Sequence, residues 1–235
     1  MSLPTPAQSV VPSPEQQVSQ SLLAASLLAL CGGGLDAFVY LNHHHVFAAS
    51  MTGNGVFLGI AALSRDRHEF LRHLLPMITF FCGVWSAEAV GSRFKRRAAT
   101  IGLLCELITL LGASFLPLSF PDVLFIPLIS FASAFQIASF RTVNTYAYNS
   151  TFITGNLRTA VAGLYATLNP LTREAGLHQF LNLGSIITSF IFGAMFGATL
   201  APRFANHTLW FLMLPLLIVL MLVNLSHRRA SAASR

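Results

Sequence analysis

From residue 21 onward the chain alternates apolar runs with short polar breaks. Eight runs stand out, at 21–41, 46–64, 73–91, 99–118, 122–140, 150–168, 177–200 and 207–225. A helix needs about 20 apolar residues to cross the hydrocarbon layer of a bilayer. The pattern therefore predicts an all-α, polytopic membrane protein with about eight membrane segments. The breaks are turn-like: Ser64 to Glu69 is polar, Gly91 to Arg97 is basic, Pro117 to Asp122 holds two prolines, and Asn169 to Glu174 is polar again. The second and sixth runs are short, and each carries Thr-Gly-Asn near its start. If one or both dip only partway, six or seven full crossings remain.

Composition supports this reading. Hydrophobic residues make up 54% of the 235 and charged ones only 9%, against about 25% charged in a soluble chain. Too few polar residues remain to cover a water-facing surface, which excludes an ordinary soluble domain and most DNA-binding modules. The net charge of +6 reads as loops flanking spans rather than as a nucleic-acid surface. The expected partners are membrane lipids and a small-molecule or ion cargo, with no nucleic acid, and the expected location is the plasma (inner) membrane. Residues 1–20, rich in Pro, Gln and Ser, read as a flexible tail without the positive start of a signal peptide. Residues 226–235 form a short basic tail. Cys31, Cys82 and Cys105 sit in apolar runs at unrelated spacings, so neither a disulfide framework nor a metal site is expected.

An internal repeat emerges from the motifs. Met51-Thr52-Gly53-Asn54 returns 102 residues later as Ile153-Thr154-Gly155-Asn156, and the same offset pairs Phe38 with Phe140 and Asn42 with Asn144. Further on, Arg93-Phe94 matches Arg203-Phe204 at an offset of 110. Two membrane units follow, 21–118 and 119–225. With four spans each they run parallel, related by an axis along the membrane normal; an odd number per unit would invert them. On the four-span count the basic loops divide almost evenly between the two sides, and orientation stays open.

Polar groups inside the runs mark the candidate site. Thr52, Asn54, Thr154 and Asn156 flank helix-weakening glycines, and a buried polar group in hydrocarbon must face protein or a wet cavity. They serve either a cargo site, as in the discontinuous helices of transporters, or close helix packing with hydrogen bonds across it. Asp36 lies inside the first run and Arg158 inside the sixth; charges at that depth usually pair or line a path. The two form a candidate ion pair, or Asp36 carries a coupling proton. Gln136 is a further cavity candidate, and Glu106 is another acid in an apolar setting. Glu88 is expected to pair with Arg93 or to snorkel. His43, His44 and His45 read as solvated loop residues, because consecutive positions do not share a helix face.

Gly-Gly-Leu35-Asp36-Ala37, Val46-Phe47 and Met51-Thr52-Gly53-Asn54 resemble the signature of the DUF1275 or YoaK-like membrane proteins. The Ala-Phe-Gln136-Ile-Ala and Thr151-to-Asn156 stretches resemble that family's second half. The resemblance implies an integral membrane protein of about this length and little biochemistry. The histidine run departs from the pattern.

The functional expectation is a small-solute transporter with substrate-binding residues Asp36, Thr52, Asn54, Gln136, Thr154, Asn156 and Arg158 at the interface of the two units. The alternative is a non-transporting structural or assembly partner. No nucleotide-binding loop, His-Glu-x-x-His or Gly-x-Ser-x-Gly is present, so neither a cofactor nor enzymatic activity is expected.

Overall fold

The structure is a computed structural model that describes residues 18, 20–94 and 97–233, with side chains as far as 226. Of the expected amino-terminal tail only residues 18 and 20 are described, whereas residues 226–233 of the expected carboxy-terminal tail continue the last helix. The protein is all-α. Its helices are α1 (Leu22–Asn42), α2 (Met51–Ser64), α3 (Arg67–Arg93), α4 (Ala98–Ser114), α5 (Asp122–Ser139), α6 (Ile153–Ala166), α7 (Arg173–Phe204) and α8 (Thr208–Ala233). A two-stranded hairpin, β1 (Thr142–Val143) and β2 (Tyr146–Ala147), follows α5, and a 3-10 turn (Ala205–His207) joins α7 to α8.

Four stretches are long and apolar enough to cross a membrane: α1, α3, α5 and Arg173–Ser226. The last contains α7 and α8, folded back on each other at the 3-10 turn. Helices α2 and α6 have 14 residues each, about 21 Å of helix. That is too short for a layer about 30 Å thick. The runs at 46–64 and 150–168 are longer than these helices because the irregular segments ahead of them are themselves apolar.

Contacts between helix ends set the direction of each helix. The ends of α1 and α4 meet the beginnings of α5 and α8: His43 Nδ1 lies 2.7 Å from Asp122, its Nε2 lies 3.2 Å from Asn206 Oδ1, and Asn206 Nδ2 donates to the Leu116 carbonyl. At the opposite pole the Asn144 N–H donates to the Gln20 carbonyl, which joins the start of α1 to the end of α5. Helix α7 runs alongside α1 in the same direction, with Gly193 against Leu30 and Asn42 Nδ2 donating to Ala201. Helix α3 runs alongside α5, with Gly83 against Phe131 and Glu88 paired to Arg141. Thus α1, α4 and α7 point one way and α3, α5 and α8 the other. The expectation of parallel units is overturned, because α1 and α5 run in opposite directions. That expectation counts α2 and α6 as crossings.

The apolar core forms two clusters, a larger one on α1, α4, α5 and α8 and a smaller one where α1 meets α6, α7 and the hairpin. Phe38, Phe125 and Phe140 are fully buried, together with leucines and isoleucines of α1, α4, α5 and α8. The α1–α7 crossing is closer than side chains allow. A Cβ on Gly33 would stand 2.0 Å from the Phe190 carbonyl oxygen, and one on Gly193 would stand 1.9 Å from that of Leu30. Only a hydrogen fits between the two backbones there.

Candidate functional site

Helix α2 is antiparallel to α3, with Phe57 stacked on His73, and α6 is antiparallel to α7, with Gln179 Nε2 donating to the Thr159 carbonyl. Each short helix therefore comes into the bundle from one pole and has its N-terminus deep inside, preceded by an irregular lead-in segment. Ahead of α2, the Ala49 N–H (2.8 Å) and the Ser50 hydroxyl both donate to the Asp36 carboxylate. Ahead of α6, Thr151 and the Ser150 carbonyl pack on Gly32. Residues 32 and 36 are one turn apart on the same face of α1. Two helix N-termini thus approach one face of α1 from opposite poles, and neither helix has a side-chain cap.

Asn54 and Asn156 shape these lead-in segments. Asn54 Oδ1 accepts from the Phe47 N–H at 3.0 Å and its Nδ2 donates to the Phe47 carbonyl at 2.8 Å. Asn156 does the same with Asn149, at 3.1 and 2.6 Å. A primary amide imitates a peptide group, so each asparagine pairs with the extended segment seven residues upstream as a neighbouring strand would. Both are buried, at 0% and 4% exposure. Satisfying a backbone N–H and C=O together is what lets an irregular segment sit inside a membrane bundle.

The other sequence-derived positions separate. Asp36 is buried, and no ion pair joins it to Arg158 among the described residues. Its oxygens face the loop before α2, whereas Arg158 lies exposed on α6. Thr52 and Thr154 are also exposed, on the outer sides of their helices. Gln136 is buried on α5 with Nε2 unpartnered. Ser150 is 1% exposed and its hydroxyl has no hydrogen-bond partner; sequence reasoning passes over it because a serine in an apolar run carries no signal. Glu88 pairs with Arg141 rather than with Arg93.

His43 is a second correction. It is 1% exposed rather than solvated, and its ring stacks on Phe125 with centroids 4.0 Å apart. The Asn206 amide is oriented by its bond to the Leu116 carbonyl, so Oδ1 faces His43 Nε2 and Asp122 faces Nδ1. Both ring nitrogens thus lie within hydrogen-bond distance of a side-chain oxygen. His44, which is exposed, also reaches Asp122, and His44 and His45 both adopt positive φ. This cluster ties together the ends of four helices and is structural. Among the described residues no three His, Cys, Asp or Glu side chains group as metal ligands. A surface pocket of about 360 Å³ lies at the α2–α3 turn, lined by Ala61, Ala62, Arg65, Asp66, Arg67 and Phe70, away from the buried helix N-termini.

This is a polytopic helical membrane protein with irregular, hydrogen-bonded segments at depth. It belongs to the family described as "Protein of unknown function (DUF1275)", which it matches over residues 24–222. It is similar to the UPF0700 transmembrane protein YoaK of Bacillus subtilis (strain 168), at 28% identity over 193 residues, 79% of this chain and 86% of that protein. No solved structure matches it.

Proposed function

We propose that this protein is a small-solute permease of the plasma membrane, built from two inverted halves of three crossings and one re-entrant helix each. The observation that carries the reading is the convergence of two uncapped helix N-termini on the Gly32–Asp36 face of α1. Broken helices with such ends at depth are a recurrent way of holding cargo inside a bilayer. The halves are supported by the matched asparagine clasps, both at the 102-residue offset, and by the packing of each half's first long helix on the other half's third element, α1 on α7 and α5 on α3.

The two N-termini differ in charge. At α2 the Asp36 carboxylate answers the positive end of the helix. At α6 the position 102 residues beyond Asp36 is Ala138, and the Ser150 hydroxyl is idle. The start of α6 therefore suits a solute that presents an acceptor oxygen, such as a carboxylate. In this reading Asp36 and Ser150 flank the solute, Asn54 and Asn156 hold the lead-in segments in shape, and Thr52, Thr154 and Arg158 lie outside the site.

A six-crossing topology also orients the chain. Among the described residues, Arg93, Arg97, Arg141, Arg173, Arg228 and Arg229 fall on one side, and Arg65, Arg67, Arg72 and Arg203 on the other. The positive-inside rule makes the first side cytoplasmic. A C-terminal green fluorescent protein fusion is expected to fluoresce, and a C-terminal alkaline phosphatase fusion to be inactive. The reverse pattern refutes the orientation.

A non-transporting partner protein is the second reading, favoured by the complete internal bonding of Asn54, Asn156 and both Asp36 oxygens. Flux decides between them. Proteoliposomes tested against carboxylates, amino acids, amides and polyols are expected to take up at least one carboxylate-bearing class. Ser150→Val is expected to reduce that uptake at least about tenfold, the loss of one buried hydrogen bond to a charged group. No uptake of any class by folded protein supports the partner reading.

A further inference from the structure

Glu106 lies halfway along α4 and is 2% exposed, in a helix whose Leu103, Leu107 and Leu110 belong to the apolar core. Its Oε1 accepts a hydrogen bond from Ser133 at 3.0 Å, and its Oε2 has no partner. Two further buried atoms on α5 also lack partners, Ser130 Oγ and Gln136 Nε2. Helices α4 and α5 are antiparallel here, with Gly102 against Gln136 and Ser139 and Glu106 against Ser133. Ser130 and Gln136 each stand three residues from Ser133, about 4.5 Å along the helix on either side of it.

The surroundings contain no counter-charge. No ion pair reaches Glu106 among the described residues. Its titratable neighbours are thiols, Cys31 on α1 and Cys105 on α4, both within its electrostatic reach. The acid of α5, Asp122, is held by His43 and His44 at the end of the bundle. The stretch of α8 that packs on α4, residues 208–226, has no titratable side chain. A carboxylate with one donor and no cation is expensive to bury, so the arrangement shown is that of the neutral acid. The idle groups then acquire a meaning. Gln136 Nε2 and the Ser130 hydroxyl are donors that the neutral acid does not need and that an ionised carboxylate would take up.

We propose that Glu106, served by Ser130, Ser133 and Gln136, is an exchangeable proton-binding site in the middle of the membrane, and that solute movement is coupled to it across α1. The reaction is the loss of the carboxyl proton to water and its return, with no other bond broken. Cys31, within electrostatic reach of Glu106, directly precedes Gly32, which contacts the segment leading into α6, so one short stretch of α1 lies within reach of both sites. The coupling clause rests on the permease reading; the proton site does not.

Infrared spectroscopy of the protein in nanodiscs tests the site without any cargo. A protonated carboxylic acid band is expected in the wild type. It should bleach as pH rises and be lost in Glu106→Gln but not in Asp36→Asn. Gln136→Leu removes a donor to the ionised form, so the bleaching midpoint is expected to move to higher pH. That variant keeps the test decisive if Glu106→Gln does not fold. A band that never bleaches while the protein stays folded marks a locked structural acid and overturns the proposal. So does a band that survives Glu106→Gln, or a titration that follows sodium instead of pH. These outcomes leave the flux result untouched, and a failed flux assay leaves the band untouched.

Discussion

Replacing Asn54 by leucine is expected to destabilise the folded protein by about 4 kcal/mol, because it strands two buried backbone groups at about 1–3 kcal/mol each. Phe47 loses both the acceptor for its N–H and the donor for its carbonyl, and neither group has water to turn to. Asn156→Leu should do the same to Asn149. Because the groups at stake are backbone, no repacking of side chains compensates. Thermal unfolding in mild detergent, followed by loss of the monodisperse peak, measures the effect. A leucine variant as stable as the wild type would show that the clasps do not hold the lead-in segments.

An even larger effect is expected from the smallest substitution. Gly193→Ala adds one methyl group 1.9 Å from the Leu30 carbonyl oxygen and 2.7 Å from its carbon. The obstacle is backbone, so α1 and α7 have to separate along their contact, which undoes the Gly33 contact with Phe190 as well. Overpacking typically costs about 1–3 kcal/mol where side chains yield; here none can, and little or no folded protein is expected. Gly184 on the same helix is the control, since a Cβ there meets nothing within 4 Å. Gly184→Ala should be neutral or stabilise by up to about 1 kcal/mol through helix propensity. Expression and size-exclusion profiles of the pair decide the matter: equal yields would mean that the crossing is looser than described.

These residues also show how far the sequence can be read. The membrane class, most of the helices and the two Thr-Gly-Asn units are legible in it, because hydropathy and a repeated motif are local signals. The burial of Asn54 and Asn156 follows from the penalty for exposing an amide to lipid. Their partners do not, because nothing in Phe47 or Asn149 announces a backbone that needs pairing. The count of crossings stays open in the sequence at Val46 to Ser50 and at Ser150 to Phe152, where an irregular segment is as apolar as a helix. The consequence propagates: taking both short helices as full crossings makes the units parallel and leaves the basic loops evenly divided. His43 is misjudged for a related reason. Its partners Asp122 and Asn206 lie 79 and 163 residues away, and no local rule links them. Arg158 and Asp36 pair on paper only when each is considered without its helix face.

The α1–α7 crossing also bears on how the chain is made. At the moment α1 inserts into the bilayer its glycine face has no cover, since the helix that fits it begins at Arg173. At about 5–20 residues per second of synthesis, α1 waits on the order of 10–30 s for that partner, while α3 waits only for α5. A chain stopped after α4 would hold α1 and α3 without the two helices they were shaped for. During that interval acyl chains have to cover the glycine face, which a helix with its backbone bonds already closed permits, and the first half is complete in sequence before it is complete in packing.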